Sequence, residues 1–150
     1  DTMARLFELK NIIGVKDATG DLNRVDEQKN KMGKEFLQLS GEDGTALEFN
    51  LRGGKGCISV TANVAPKLCS EFQEASLAKN NNNLLSRAKE INDKLMPLHK
   101  SLFIESSPSP VKYAASELKL CSDEVRLPLV KVTSSTKEKI KSAMKHANLI

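Results

Sequence analysis

Three times within the first 61 residues, an apolar run closes on small or polar residues and gives way to a helix signal. The runs cover residues 11–16, 36–41 and 56–61, each of strand length and bounded by turn formers. Asp21 is placed to cap a helix through Leu22, Val25 and Met32 that Gly33 stops. Glu42 or Asp43 is placed to start a second through Ala46, Leu47 and Leu51, ending before Gly53. Pro66 suits the first turn of a third helix, expected to run to about Lys79. A strand followed by a helix, repeated in this way, predicts a parallel sheet with right-handed crossovers, because neighbouring parallel strands need a long connection over one face of the sheet.

Beyond this region the pattern turns to helices alone. Leu84, Ala88, Ile91, Leu95 and Leu98 trace one helical face, with Pro97 expected to bend or end the helix and residues 80–83 to form its entry loop. Residues 108–118 read as a shorter helix and 126–131 as a surface connector. Ser134 or Ser135 is expected to cap a last helix, in which Ile140, Ala143, Met144 and Ala147 recur at helical spacing. At the other end, Ala4, Leu6, Phe7 and Leu9 look like the close of an amphipathic helix feeding the first strand. Three parallel strands leave open edges, whereas a closed eight-stranded barrel takes about 250 residues. The expected fold is therefore α/β: half of a (β/α)8 barrel, with three parallel βα units over residues 1–79 and an all-helical C-terminal extension over 80–150. A comparable N-terminal half is expected to complete it.

Composition narrows the partners. The chain is 39% hydrophobic and 28% charged, an ordinary globular balance. Its apolar runs break after a few residues, far short of the roughly 20 that span a bilayer, so no membrane association is expected. Residues 1–10 mix charge signs without an apolar core for a secretory signal, which makes the cytoplasm the expected compartment. The net charge of +4 is dispersed and aromatic residues make up 4% of the chain, so no nucleic-acid partner is expected. Cys57, Cys69 and Cys121 lack ligand or disulfide spacing and are expected to be buried thiols, while His99 and His146 lie far apart with no neighbouring carboxylate pattern. Gly53-Gly54-Lys55-Gly56 precedes a strand and lacks the ending that opens a phosphate-binding helix, so it is expected to be a turn.

In strand-helix barrels, reactive groups sit at the C-terminal ends of strands, which here are Lys16, Ser40 with Gly41, and residues 58–61. By residue type alone, a strand-end lysine is a solvated charge, Gly41 is a turn former, and Ile58 is a buried strand residue. The surrounding motifs alter that weighting. Gly14-Val15-Lys16-Asp17-Ala18-Thr19-Gly20-Asp21 resembles the Schiff-base lysine motif of the dihydrodipicolinate synthase family, in which the lysine closes the sixth barrel strand. Leu39-Ser40-Gly41-Glu42-Asp43 resembles the segment after the seventh strand, although many members carry aspartate where Glu42 stands. The run from Gly56 to Asn63 is similar to the eighth strand, and Leu95-Met96-Pro97-Leu98-His99, Pro110-Val111-Lys112 and Arg126-Leu127-Pro128-Leu129 are similar to the family's helical extension. These matches fall in order across nearly the whole chain.

The resemblance implies an aldolase-type lyase in which Lys16 forms a Schiff base with pyruvate, with no metal or organic cofactor. Free lysine titrates near 10.4, so at pH 7.5 about one amine in a thousand is neutral, and catalysis needs the charged form disfavoured, as burial does. The second substrate implied is aspartate 4-semialdehyde, and the product a hydroxytetrahydrodipicolinate on the route to diaminopimelate and lysine. Gly41 would line the pyruvate pocket, and the backbone carbonyl of Ile58 would face the bound pyruvate. The family's proton relay and the arginine for the aldehyde's carboxylate are expected in the N-terminal half, so this chain alone is expected to be nearly inactive. A homodimer or homotetramer is the implied assembly. Two alternatives stay open: another pyruvate-dependent aldolase, such as an N-acetylneuraminate lyase or a keto-deoxy sugar acid aldolase, and a non-catalytic half-barrel that only binds or assembles.

Overall fold

A computed structural model describes residues 1–78 and 80–150. Strand β1 is Gly14–Asp17 and strand β2 is Leu37–Ser40, and they pair in parallel with Gly14 opposite Leu37, Lys16 opposite Leu39 and Asp17 opposite Ser40. Both strands are shorter than the apolar runs that announced them, and β1 ends one residue beyond Lys16. The third expected strand forms only a single parallel bridge, Ser40 with Cys57. Two features cut it short. Gly56 adopts φ 141°, a conformation that L side chains rarely enter and that regular strands do not use. Four residues later, the amides of Val60 and Thr61 donate to the Asp43 carboxylate rather than to a neighbouring strand, and a 3-10 turn, Thr61–Asn63, follows.

The connections follow the capping signals. Helix α1, Thr2–Phe7, precedes β1, and Phe7 stands edge-on to Phe36 at 5.0 Å between ring centroids. Leu9, expected in that helix, lies beyond it and is exposed. Between β1 and β2 runs α2, Asn23–Met32, entered where the Asp21 carboxylate accepts the Asn23 amide at 3.0 Å and closed by Gly33 at φ 80°. A 3-10 turn, Asp43–Thr45, leads into α3, Ala46–Arg52, which Gly53 ends. Pro66 opens α4, Pro66–Leu77; its expected end at Lys79 lies outside the described residues. The buried Asn50 amide donates to Gln73 Oε1 and Ser76 Oγ, both at 2.8 Å, and so ties α3 to α4.

The helical region departs from expectation at three points. Helix α5, Asn82–Ser101, begins inside the asparagine run, because the Asn81 side chain accepts the amides of Asn83 and Leu84 and makes that run a cap. Pro97 lies inside α5, which continues one turn past it. A proline in a helix interior costs about 3 kcal/mol, and complete burial of Leu95, Leu98 and Leu102 on the same helical face offsets a loss of that size. Helix α6 is Ser109–Glu117 and α7 is Ser134–His146. Thr133, rather than either serine, caps α7: its hydroxyl accepts the Thr136 amide and donates to Glu105 Oε1 at 2.8 Å. Ile140, Ala143, Met144 and Ala147 are buried, as their spacing predicted. The core is one cluster running from Ala46 on α3 through α4, α5 and α6 to Ala147 after α7. Among the described residues, no helix is long and apolar enough to cross a membrane.

Candidate active site

Lys16 and Gly41 come together because β1 and β2 are parallel and in register, so the loops leaving both strands emerge at the same end of the sheet. The Gly41 amide donates to the Asp17 carbonyl at 2.8 Å, which closes the two loops on each other. A Cβ added at Gly41 would sit 2.6 Å from Lys16 Cε and 2.7 Å from Ala18 Cβ. Only a residue without a side chain therefore leaves the lysine stem where it is. Lys16 itself is exposed.

The loop after Lys16 is rigid for a reason that its composition only hinted at. The Asp17 side chain accepts the Thr19 amide at 2.9 Å and the Thr19 hydroxyl at 2.6 Å on one oxygen, and Arg24 Nε at 2.6 Å on the other. Burial pushes the Asp17 carboxyl up, but the bonds from Thr19 and Arg24 outweigh it and hold its pKa below the usual aspartate value. Gly20, at φ 72°, completes the turn, and the Asp21 carboxylate accepts the Asn23 amide where α2 begins. Lys16 therefore projects from a strand end anchored on both sides.

Ile58 takes a different position from the expected one. It lies outside any strand, its side chain is 49% exposed rather than buried, and its amide donates to the Ser40 carbonyl at 2.8 Å. That bond sets Ile58 beside the residue preceding Gly41. The Ser40 hydroxyl accepts the Glu42 amide and donates to the Glu42 carbonyl, each at 3.0 Å, and Glu42 in turn accepts the Gly44 amide.

Sequence reasoning missed a buried polar group next to this loop. Asp43 is buried, and one of its carboxylate oxygens accepts the amides of Val60 at 2.9 Å and Thr61 at 3.2 Å. His99, on α5, is also buried and places Nδ1 2.7 Å from Thr61 Oγ1. Burial lowers the His99 pKa below its ordinary value, with the charges of Asp43 and Glu42 opposing that shift. Asp43 read only as one of two helix-start residues, and it does open the 3-10 turn that Glu42 caps, which masks its second role; His99 and Thr61 lie 38 positions apart, beyond any local pattern.

Asp43, Cys57, Ser59, Cys69 and His99 line a cavity of about 350 Å³. Burial pushes the Cys57 thiol up to about 12, with the Asp43 charge adding to the effect, and the Cys69 thiol up to about 11. Both are inert protonated thiols at neutral pH. Of the three thiols expected to be buried, Cys69 is buried, Cys57 is half-buried, and Cys121 is exposed on the segment after α6. Among the described residues, no three His, Cys, Asp or Glu side chains are placed to hold a metal ion.

A family model described as the dihydrodipicolinate synthetase family matches residues 1–147. The chain is 66% identical over 150 residues to a 4-hydroxy-tetrahydrodipicolinate synthase of Pelagibacter ubique, covering all of this chain and 51% of that protein. It is 59% identical to the enzyme of that name from Cereibacter sphaeroides, again over its full length and 50% of the relative. Among solved structures, a chloride-inhibited dihydrodipicolinate synthase from Acinetobacter baumannii, complexed with pyruvate, superposes with a TM-score of 0.92 at 42% identity, covering all of this chain and 50% of that one. The synthase of Thermotoga maritima superposes with a TM-score of 0.91 at 35% identity over 99% of this chain and 50% of its own. The chain thus spans about half the length of the curated relatives it matches.

Proposed function

The chain belongs to the dihydrodipicolinate synthetase family, and from that premise we propose that the complete protein condenses pyruvate with L-aspartate 4-semialdehyde through a Schiff base on Lys16. The observation that supports this reading is the close approach of Gly41 to the Lys16 stem, where any side chain at position 41 would overlap Lys16 Cε. The neutral Lys16 amine attacks the pyruvate ketone carbon, and loss of water gives an imine. The imine draws electrons from the adjacent methyl group, a proton leaves, and the resulting enamine carbon attacks the aldehyde carbon. The α-amino group carried in with the aldehyde then attacks the imine carbon, closing the ring and expelling the Lys16 amine. The product is 4-hydroxy-tetrahydrodipicolinate.

In this reading Gly41 lines the pyruvate pocket and the Ile58 carbonyl faces the bound keto acid, which the bond between Ile58 and Ser40 supports by bringing that backbone to the Gly41 loop. Residues 1–79 are the last three βα units of a (β/α)8 barrel and 80–150 its helical extension. The exposed Ile13, Leu37 and Ile58 are the side chains that an N-terminal half would cover. Proton relay and aldehyde-carboxylate recognition belong to that half, so the present chain alone is nearly inactive. The complete protein is a cytoplasmic homodimer or homotetramer.

Borohydride reduction in the presence of pyruvate, followed by peptide mass spectrometry, tests the assignment in the complete protein. The reduced pyruvyl adduct is expected on Lys16. Absence of any adduct from the folded protein would sink the catalytic assignment and leave binding or assembly as the function.

A further inference from the structure

Asp43 is a buried carboxylate that takes two backbone amides on one oxygen and the Cys57 thiol, at 4.0 Å, on the other, on a segment that also carries Gly41. Burying a charge in this way is costly, and an apolar side chain would fill the same volume without that cost. What a carboxylate adds here is an oxygen that takes two amides in charge-assisted bonds, stronger than a neutral acceptor would make. The segment 57–61 is thereby fastened to the segment 40–43 at two points: Ser40 pairs with Cys57 and Ile58 at one end, and Asp43 takes Val60 and Thr61 at the other. Between those points the Ile58 carbonyl has no donor among the described residues. His99 reaches Thr61 from α5 and braces the second fastening from the helical extension.

We infer that Asp43 is a positioning residue for the pyruvate half of the reaction, holding the Ile58 backbone and the Gly41 wall in register with Lys16, with His99 supporting it through Thr61. The inference rests on the function proposed above. Any shift of residues 40–43 moves Gly41 relative to Lys16 Cε, which leaves no room for a side chain at position 41, and any shift of 57–61 moves the Ile58 carbonyl. Neither Asp43 nor His99 needs to touch substrate for this.

The test is Asp43→Asn in the complete protein, which keeps the shape and one accepting oxygen but removes the charge and so weakens both amide bonds, read by pyruvate-dependent inactivation with borohydride. A misplacement of about 1 Å costs on the order of 100-fold in a reaction, and the partial loosening expected here raises half-saturating pyruvate by about tenfold. The KM for aspartate 4-semialdehyde and the melting temperature are expected to change little. His99→Phe, which fills the space but loses the bond to Thr61, is expected to shift half-saturation in the same direction by a smaller factor. A fall in melting temperature with half-saturation unchanged would show a merely structural role and overturn the inference. If Asp43→Asn does not fold, unchanged half-saturation in His99→Phe overturns it instead. Failure of the unsubstituted protein to trap pyruvate on Lys16 removes the functional reading and this inference together, whereas normal trapping in parent and variant alike removes this inference alone.

Discussion

Gly41→Ala is the substitution for which the structure makes the sharpest forecast. A methyl group there would lie 2.6 Å from Lys16 Cε and 2.7 Å from Ala18 Cβ, both well inside van der Waals contact. The two overlaps have different consequences. Lys16 Cε is near the end of a flexible stem and swings away, at a cost of about 0.5–1.5 kcal/mol if it leaves a staggered rotamer. Ala18 has no such freedom, and its loop is pinned by the Asp17 bonds to Thr19 and Arg24, so its overlap acts as overpacking, worth about 1–3 kcal/mol. Gly41 lies outside the positive-φ glycines, so no backbone strain adds to this sum. Stability is expected to fall by about 1–3 kcal/mol, while displacement of the amine by about 1 Å lowers the pyruvate trapping rate by roughly 10- to 100-fold. Urea unfolding and borohydride trapping in the complete protein measure the two effects separately. Gly44→Ala is the control, since its added methyl meets only Glu42 Oε1 at 3.2 Å. Trapping in Gly41→Ala equal to that in Gly44→Ala would refute the account of Gly41 as the wall that sets the lysine.

Two further outcomes follow from the buried titratable groups. The folded-state pKa of His99 is lowered, so the folded protein favours the neutral ring; that stability is complete above the unfolded value near 6.5 and is lost as pH falls below it toward the folded value. The melting temperature is expected to drop between pH 7.5 and 5.5, by about 2–4 °C for each kcal/mol lost, and His99→Gln is expected to flatten that slope; an unchanged slope would show that the ring does not titrate in this range. For the thiols, a maleimide at pH 7.5 is expected to label Cys121 rapidly and Cys57 and Cys69 only after denaturation, because burial holds the latter two protonated. Rapid labelling of more than one thiol in the native chain would contradict the packing around Asp43.

Elements with a local cause were legible in the sequence. Asp21 with Gly33, Pro66, and the spacing of Ile140, Ala143 and Met144 each mark a boundary or a face through chemistry within one turn, and each helix appears where they placed it. The errors have equally specific causes. The 56–61 run has the composition of a strand, but Gly56 at φ 141° and the capture of two amides by Asp43 stop its pairing after one bridge. Pro97, expected to bend or end its helix, does not end it, because the buried leucines around it outweigh its propensity. Ser134 and Ser135 are good caps, but Thr133 takes the role because Glu105, far away in the chain, orients its hydroxyl. The contact between Lys16 and Gly41 depends on strand register, which motif spacing suggested without supplying a distance.

The division between legible and hidden residues also separates two roles within the site. Lys16 and Gly41 meet through adjacent strands, so short motifs around each suffice to mark them. Asp43, Thr61 and His99 meet through folding of the whole region, and no motif marks their conjunction. A mutation of His99 on α5 reaches the Gly41 loop only through Thr61 and Asp43, so its effect should depend on Asp43 being intact. In a double-mutant cycle, His99→Phe is expected to raise half-saturating pyruvate in the parent and to add little once Asp43 is asparagine. Full additivity of the two changes would mean that the helical extension and the Asp43 fastening act on the lysine site by separate routes.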